Sequence, residues 1–213
     1  MRLPELEGTL RTKLGETLPG LQAQLRFAPV PPRRGWTPGH IPEGTRAAAA
    51  LLLLYPGAST VLMPLTIRAS GLRLHAGQIS LPGGATNPGE SLAGAALREA
   101  EEEIGIDPSR VRVLGELTPV HVLVSGFTLH PVVGVTDEPP SFRLAADEVE
   151  AVLEVSIDDL TDASRIRRGV RLREGIAVEY PYFDLLGHQV WGATAMVLGE
   201  FICLLQEDAG PKP

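Results

Sequence analysis

Four glutamates lie close together near the middle of the chain, in the segment REAEEEIG. On a helix that turns about 100° per residue, Glu99, Glu102 and Glu103 share one face and Glu101 points to the opposite side. Like charges at these spacings cost about 0.2–0.5 kcal/mol per pair, and the C-terminal end of a helix disfavours anions. A divalent cation reverses this cost, because Mg²⁺ and Mn²⁺ prefer carboxylate oxygens as ligands. The spacing therefore favours a metal site, although such a run taken alone is more typical of a solvated acidic face.

Two neighbouring features favour the metal site over a solvated face. Arg98 follows Glu90 by eight residues, about two helical turns, so it can pair with Glu90 and hold the intervening loop against the helix. Pro82-Gly83-Gly84 immediately precedes this loop, and glycine lets the backbone approach an anion or a metal closely. We therefore expect Glu90 and Arg98 to support the site structurally.

The segment resembles the Nudix box of the Nudix hydrolase superfamily. That motif is a glycine, five residues, Glu, seven residues, Arg-Glu, an apolar residue, any residue, Glu-Glu, any residue, Gly and an apolar residue. Every spacing is matched, by Gly84, Glu90, Arg98, Glu99, Ala100, Glu102, Glu103, Gly105 and Ile106. Ala100 is small for the apolar position, and it is the weakest of the matches.

The resemblance implies a fold, a metal site and a reaction. The fold is of the α/β (α+β) class, a mixed β-sheet sandwiched between helices with a loop–helix–loop metal site. The metal, one to three Mg²⁺ or Mn²⁺ ions, would be held by Glu99, Glu102 and Glu103 with the Gly84 carbonyl. The reaction is hydrolysis of a nucleoside diphosphate linked to another group.

A second motif precedes the first, in LTIRASGLRLHAGQISLPGG. It resembles the additional signature of Nudix enzymes that hydrolyse coenzyme A, the CoA pyrophosphatases. The matching residues are Leu65, Thr66, Arg68, Ala69, Arg73, Gly77, Pro82, Gly83 and Gly84, and Leu81 takes the usual place of Phe. CoA carries about four negative charges, so a chain of net charge −7 needs local cations to bind it. The candidate substrate-binding residues are Arg68, Arg73, His75 and Gly83.

The resemblance implies that water attacks one phosphorus of CoA, giving 4′-phosphopantetheine and 3′,5′-ADP. The general base stays open between Glu102, Glu103 and Glu148. Trp36 and Trp191 are candidates to stack on adenine, although core packing is the more ordinary role of a tryptophan.

Two other functions remain open. A Nudix hydrolase for ADP-ribose or another nucleoside diphosphate compound would share the acidic helix but would not need a 3′-phosphate site. A Nudix-fold binding module without turnover typically lacks one of the box carboxylates, whereas this chain retains them all.

The surrounding pattern predicts the elements that hold these motifs. Residues 92–104 form the clearest amphipathic helix, which Gly105 ends, and residues 194–205 form a last helix. The first 25 residues predict a helix broken near Pro19-Gly20, followed by a proline-rich loop at residues 29–42. The predicted strands are residues 47–54, 60–65, 78–81, 111–114, 117–124, 127–135 and 149–155, with a hairpin at residues 171–173 and 176–183. We expect one mixed α/β layered domain over residues 1–213, with residues 1–45 as an extension.

Composition narrows the class of partner. The net charge of −7 argues against nonspecific nucleic-acid binding, which needs a basic surface. The longest apolar run, residues 47–55, is less than half of the roughly 20 residues that a membrane-spanning helix needs. The N-terminus lacks the pattern of a secretory signal, and the single cysteine, Cys203, cannot form an internal disulfide. We therefore expect a cytoplasmic enzyme with a small-molecule substrate; the oligomeric state stays open.

Overall fold

The computed structural model describes residues 2–70 and 77–206, in which strands and helices alternate. In chain order the elements are α1 (Leu3–Lys13), α2 (Gly20–Leu25), β1 (Arg46–Pro56), β2 (Val61–Arg68), β3 (Ile79–Ser80), β4 (Gly83–Ala85), α3 (Leu92–Ile104), β5 (Arg112–Glu116), β6 (Val120–Val122), β7 (Phe127–Val135), β8 (Val149–Ser156), α4 (Ile157–Thr161), β9 (Ile166–Arg173), β10 (Ile176–Leu185), β11 (His188–Trp191) and α5 (Ala193–Gln206). Short 3₁₀ turns precede β5 and β9.

Strand β1 lies at the centre of an eight-stranded mixed sheet. It runs parallel to β7, with Ala49 opposite His130, and antiparallel to β2 and β4. Strands β3 and β8 pair with β2, while β5 and β6 pair with β7. The continuous apolar run of β1 suits this position, because a strand covered on both faces has no polar side to alternate.

Helices cover both faces of this sheet. Ala49, Leu51 and Leu53 of β1 pack with α3 on one face. Leu52 and Leu54 point to the other face, into a core that also contains residues of α1 and α5. The predicted mixed sheet sandwiched between helices is therefore confirmed. None of the helices in the described part of the chain is long and apolar enough to cross a membrane.

Strands β9, β10 and β11 form a separate three-stranded antiparallel sheet. The predicted hairpin is confirmed and is longer than expected, and both residues of its turn, Glu174 and Gly175, have positive φ. Phe183 and Val190 are paired in register and point into the core. The opposite face carries Tyr182 and its partner Trp191.

Some elements differ from the sequence prediction. The strand expected at residues 117–124 is reduced to β6, because the Thr118 N–H donates to Glu200 instead of to a neighbouring strand. The polar segment after β8 forms the short helix α4, capped by Ser156, whose Oγ accepts the Asp159 N–H at 2.9 Å. Strands β4 and β11 were not expected. The N-terminal helix is interrupted as predicted, with α1 ending at Lys13 and α2 starting at Gly20.

Glu200 joins the N-terminal segment to the core. Its carboxyl group is fully buried in the apolar helix α5. It accepts hydrogen bonds from the Thr118 hydroxyl at 2.6 Å and from the Gln24 side chain at 2.8 Å. It also accepts the backbone N–H groups of Gly20 and Thr118, each at 3.2 Å. One side chain thus satisfies donors from two segments, α2 and the loop before β6.

We predict that Glu200→Ala lowers the free energy of unfolding by about 3 kcal/mol, because it leaves several buried donors without an acceptor. Chemical denaturation measures the change. Glu150→Ala is the matched control, since Glu150 is exposed on β8, and it should change stability by less than about 0.5 kcal/mol. Equal losses from both variants would contradict the role given to Glu200.

Candidate active site

Helix α3 is fixed at both ends by local contacts. The Ser91 hydroxyl accepts the Gly94 N–H at 3.0 Å at the N-terminus. At the C-terminus Gly105 adopts the left-handed conformation with φ 75°, and the Ile106 N–H bonds back to the Ala100 carbonyl. The predicted bounds of this helix, residues 92–104, are confirmed.

The glutamates of α3 differ in burial. Glu103 is only 2% exposed, Glu99 is half-buried, and Glu102 is exposed at the edge of the same face. Glu101 is exposed as well. Glu99 and Glu102 both accept from Nη1 of Arg98, at 2.6 Å and 3.1 Å. Glu99 and Glu102 therefore lie together, as their positions on the helix predict, whereas Glu103 has other partners.

Arg98 holds the preceding loop against the helix. Its Nε and Nη2 groups donate to the two carboxylate oxygens of Glu90 at 2.9 Å and 3.0 Å, so the expected pair is present. Nη2 also donates to the Ala85 carbonyl at 2.9 Å. Arg98, followed by the N–H of Asn87, lowers the pKa of the Glu90 carboxyl to about 2. Sequence reasoning missed the contact with Glu102, although its i, i+4 spacing from Arg98 was a signal for it.

Two glycines let β4 approach the helix and the sheet. A Cβ atom on Gly84 would lie 2.3 Å from Oε2 of Glu99. A Cβ atom on Gly83 would lie 2.4 Å from the Ala49 carbonyl oxygen and 2.5 Å from the Cα of Ala50. A side chain at Gly83 would meet fixed backbone atoms of β1, whereas one at Gly84 would meet the movable end of the Glu99 side chain.

Glu103 connects α3 with both upstream motifs. Its carboxyl group accepts the Gly83 N–H at 3.1 Å, and Nη1 of Arg68 lies 3.7 Å from its Oε1 atom. Burial raises the pKa of the Glu103 carboxyl to about 7, although the Gly83 N–H and Arg68 oppose the rise. The Nε atom of Arg68 is buried and has no hydrogen-bond partner in the described part of the chain.

The remaining candidates lie around Arg68. Glu148 is exposed, and it is close enough to Glu103 to raise the pKa of that carboxyl. Its carbonyl accepts the N–H of Ala69 at 2.9 Å, which places the start of β8 beside the end of β2. Arg73 and His75 lie outside the described residues.

The donor set fits a hard divalent cation such as Mg²⁺ or Mn²⁺. Nη1 of Arg98 lies between Glu99 and Glu102, so a positive group already stands between these carboxylates. Within residues 2–70 and 77–206, no three acidic, histidine or cysteine side chains are grouped closely enough to hold a metal ion. The reason is that Glu99 and Glu102 turn towards Arg98, while Glu103 turns towards Gly83. The carboxylates match a cation in ligand chemistry and charge, and Arg98 is the group with which it would compete.

Comparison with known proteins agrees with the class of hydrolase that the sequence motifs predict. The family model of the NUDIX domain matches residues 44–172. Two proteins named uncharacterized Nudix hydrolase NudL, from Salmonella newport (strain SL254) and Salmonella agona (strain SL483), are each 42% identical over 156 residues, which are 70% of this chain and 76% of theirs. The crystal structure of a Nudix hydrolase from M. smegmatis, RenU, has a TM-score of 0.52 and 19% identity and covers 79% of this chain and 89% of its own. That last likeness supports the fold alone.

The structure combines a mixed sheet between helices with an acidic helix, a glycine turn and an arginine that holds the loop, and this arrangement agrees with a Nudix fold. Together with the family match and the identity to the NudL proteins, it leads to a definite assignment. The chain belongs to the Nudix hydrolase family. Members of this family generally use divalent metal ions.

The two glycines of β4 generate a paired prediction. Gly83→Ala should lower the free energy of unfolding by about 1–3 kcal/mol, because its Cβ meets backbone atoms of β1. Gly84→Ala should leave stability within about 1 kcal/mol, because its Cβ meets only the movable carboxylate of Glu99, but it should weaken Mn²⁺ binding by at least about tenfold. Denaturation without metal and Mn²⁺ titration calorimetry measure the two effects.

Gly8→Ala is the control for this pair, since a Cβ on Gly8 meets nothing within 4 Å. This variant should keep wild-type Mn²⁺ affinity and gain up to about 1 kcal/mol from the helix propensity of alanine. If Gly84→Ala binds Mn²⁺ like the wild type, the placement of Glu99 in the metal site is wrong.

Proposed function

We propose that this Nudix hydrolase cleaves the diphosphate bond of coenzyme A or a CoA derivative. The products are 3′,5′-ADP and 4′-phosphopantetheine or its acyl form. The observation that carries the proposal is the 3.7 Å approach of Arg68 to Glu103, which joins the CoA-type motif to the acidic helix. Arg68 belongs to the motif that resembles the signature of CoA pyrophosphatases, and this contact sets that motif beside the helix whose carboxylates would hold the metal.

Arg68 is suited to bind the diphosphate. Its side chain is about one-quarter exposed, and its contact with Glu103 is long, so its donors are not fully used by that carboxylate. A planar guanidinium binds phosphate oxygens through paired hydrogen bonds, and such charge-assisted bonds are about twice as strong as neutral ones. The buried Nε atom, which has no hydrogen-bond partner among the described residues, adds one more donor on the same group. Gly83, whose N–H donates to Glu103, keeps this wall of the site close to β1.

Glu99, Glu102 and Glu103, with the carbonyl of Gly84, are the groups that would hold Mg²⁺ or Mn²⁺. When bound, the metal supplies positive charge opposite the diphosphate and lowers the pKa of the attacking water. In the reaction the water oxygen forms a bond to one phosphorus. The bond from that phosphorus to the bridging oxygen breaks, and the second phosphate leaves with the electron pair.

Glu148 is our preferred general base. Burial raises the pKa of the Glu103 carboxyl to about 7, but Glu103 and Glu102 would both be occupied by the metal, and Glu102 also accepts from Arg98. Glu148 is exposed and stands across from Glu103 at the junction of β2 and β8. A water proton released between the two carboxylates would therefore pass to Glu148. Glu102 and Glu103 are the alternatives.

We predict that Glu103→Gln reduces kcat/KM by at least about a hundredfold, because it removes a charged oxygen ligand while it keeps the shape of the side chain. Glu101→Gln is the matched control on the same helix and should stay within about threefold of the wild type. The measurement is steady-state hydrolysis with Mg²⁺ and with Mn²⁺, and circular dichroism checks the fold of both variants. Equal losses in the two variants would refute the assignment of roles on the helix face.

The second prediction concerns the substrate. The wild type should prefer CoA to dephospho-CoA by roughly ten- to a hundredfold in kcat/KM, the effect of one charge-assisted phosphate contact. Arg68→Gln should damage both substrates alike, because Arg68 lies at Glu103 and meets the diphosphate that they share. Arg110→Gln is the control, since Arg110 is exposed and paired with Glu138. Faster hydrolysis of ADP-ribose than of CoA would overturn the substrate assignment and leave a general nucleoside diphosphate hydrolase.

A further inference from the structure

Arg171 and Arg173 of β9 lie on one face of the three-stranded sheet, and Arg33 is close enough to Arg171 to lower the pKa of its guanidinium. The guanidinium carbon of Arg171 lies 4.1 Å from the centroid of the Trp191 ring and 5.6 Å from that of Tyr180. Nη2 of Arg173 donates to the carbonyls of Pro31 and Pro32, at 3.1 Å and 3.0 Å. These bonds fix the segment that leads into Arg33, the third member. We call Arg33, Arg171, Arg173 and Trp191 the arginine–tryptophan cluster.

This cluster is built by specific backbone contacts. Val30 and Glu179 exchange two backbone hydrogen bonds of 2.8 Å. These bonds attach the N-terminal segment to the part of β10 that does not pair with β11. Gly169 leaves room for the neighbouring ring, since a Cβ at this position would lie 2.6 Å from Tyr180. The position of the Tyr180 ring beside Arg171 thus depends on a glycine in β9, as the proposed metal site depends on the glycines of β4.

The charges of this cluster are not compensated. Within the described part of the chain, no carboxylate forms an ion pair with Arg33, Arg171 or Arg173. Burial, together with the positive charges of Arg173 and Arg33, lowers the pKa of the Arg171 guanidinium. A group of like charges without counter-charges is unfavourable, and a bound anion removes that cost.

The other arginines of β9 behave differently. Arg167 pairs with Asp184 at 3.2 Å, and Arg168 pairs with Glu179. One strand therefore carries two arginines with carboxylate partners and two without. Arg173 instead donates to the carbonyls of Pro31 and Pro32, and Arg171 stacks on Trp191, so an anion could bind Arg171 without displacing a carboxylate of the described residues.

The cluster lies near the CoA-type motif. Strand β11, which ends in Trp191, lies against β3, and the Thr194 hydroxyl donates to the Ile79 carbonyl at 3.1 Å. Strand β3 in turn precedes Gly83 by only three residues. Arg68 lies at Glu103, where the diphosphate would bind. The separate 3′-phosphate of CoA therefore needs another cation.

We propose that the arginine–tryptophan cluster binds the 3′-phosphate and the attached adenosine of the substrate. This inference rests on the proposed function, since a 3′-phosphate is what separates CoA from other nucleoside diphosphate compounds. The guanidinium forks of Arg33 and Arg171 match phosphate oxygens. Stacking on Trp191 holds the fork of Arg171 in place before the ligand arrives, so less rotamer freedom is lost on binding.

The direct test is binding of 3′,5′-ADP and of AMP to the full-length protein in EDTA, measured by calorimetry and by tryptophan fluorescence. The wild type should bind 3′,5′-ADP at least about tenfold more tightly than AMP. Arg33→Gln and Arg171→Gln should each reduce this ratio by about tenfold and leave AMP affinity nearly unchanged. Arg171→Lys, which keeps the charge without the planar fork, should recover only part of the ratio.

Arg167→Gln is the matched control, because it removes the same charge from the same strand at a residue that has a carboxylate partner. It should keep the wild-type ratio. A wild-type ratio near one, or an equal drop in Arg167→Gln, overturns the inference. If CoA is not hydrolysed but the ratios behave as expected, the proposed function fails and the phosphate site stands; if CoA is hydrolysed and the ratio is one, only this inference fails.

Discussion

The guanidinium group of Arg98 donates to Glu90, Glu99 and Glu102 and to the carbonyl of Ala85. Without it, the carboxylates of α3 would face each other uncompensated at the end of the helix where the dipole disfavours negative charge. The same group closes the loop between β4 and α3, so the glycines that precede this loop stay against the helix. The proposed metal site therefore depends on one cation that belongs to the protein.

The sheet supplies the second constraint. Pairing of β4 with β1 sets Gly84 opposite Ala49, and the missing Cβ of Gly84 lets the Glu99 carboxylate lie at the backbone. Pairing of β2 with β8 sets Arg68 opposite Val149 and hence beside Glu148. Two separate strand pairs thus place the glycine turn, Arg68 and the candidate base Glu148 beside α3. Backbone pairing thus sets where these segments stand, while the guanidinium of Arg98 sets how Glu99 and Glu102 turn.

Sequence patterns predicted the parts of this arrangement that local interactions decide. The bounds of α3 follow from a serine cap and a glycine stop, and both lie within the segment itself. The Glu90–Arg98 contact follows from spacing across one loop. Strand β4 could not be predicted in the same way, since a glycine pair has low strand propensity. The strand forms only because it pairs with residues 48–50 of β1.

Contacts between residues far apart in the sequence could not be predicted either, at Glu200 and along β9. Glu200 is a single acidic residue in an apolar helix, and its donors come from segments more than 80 residues away. The arginines of β9 look alike in the sequence IRRGVRLR. Which of them has a carboxylate partner is decided by the register with β10 and by the docking of residues 30–33, neither of which leaves a local signal.

The distribution of charge explains how an acidic protein can recognise an anionic substrate. Arg68 faces the Glu103 carboxylate, so a phosphate that binds to Arg68 partly exchanges one anionic partner for another. Such an exchange gives little discrimination between substrates that share a diphosphate. The arginine–tryptophan cluster has no counter-charge to displace among the described residues, so a phosphate there gains the full interaction. Catalysis and substrate selection are thus assigned to different arginines because those arginines have different partners.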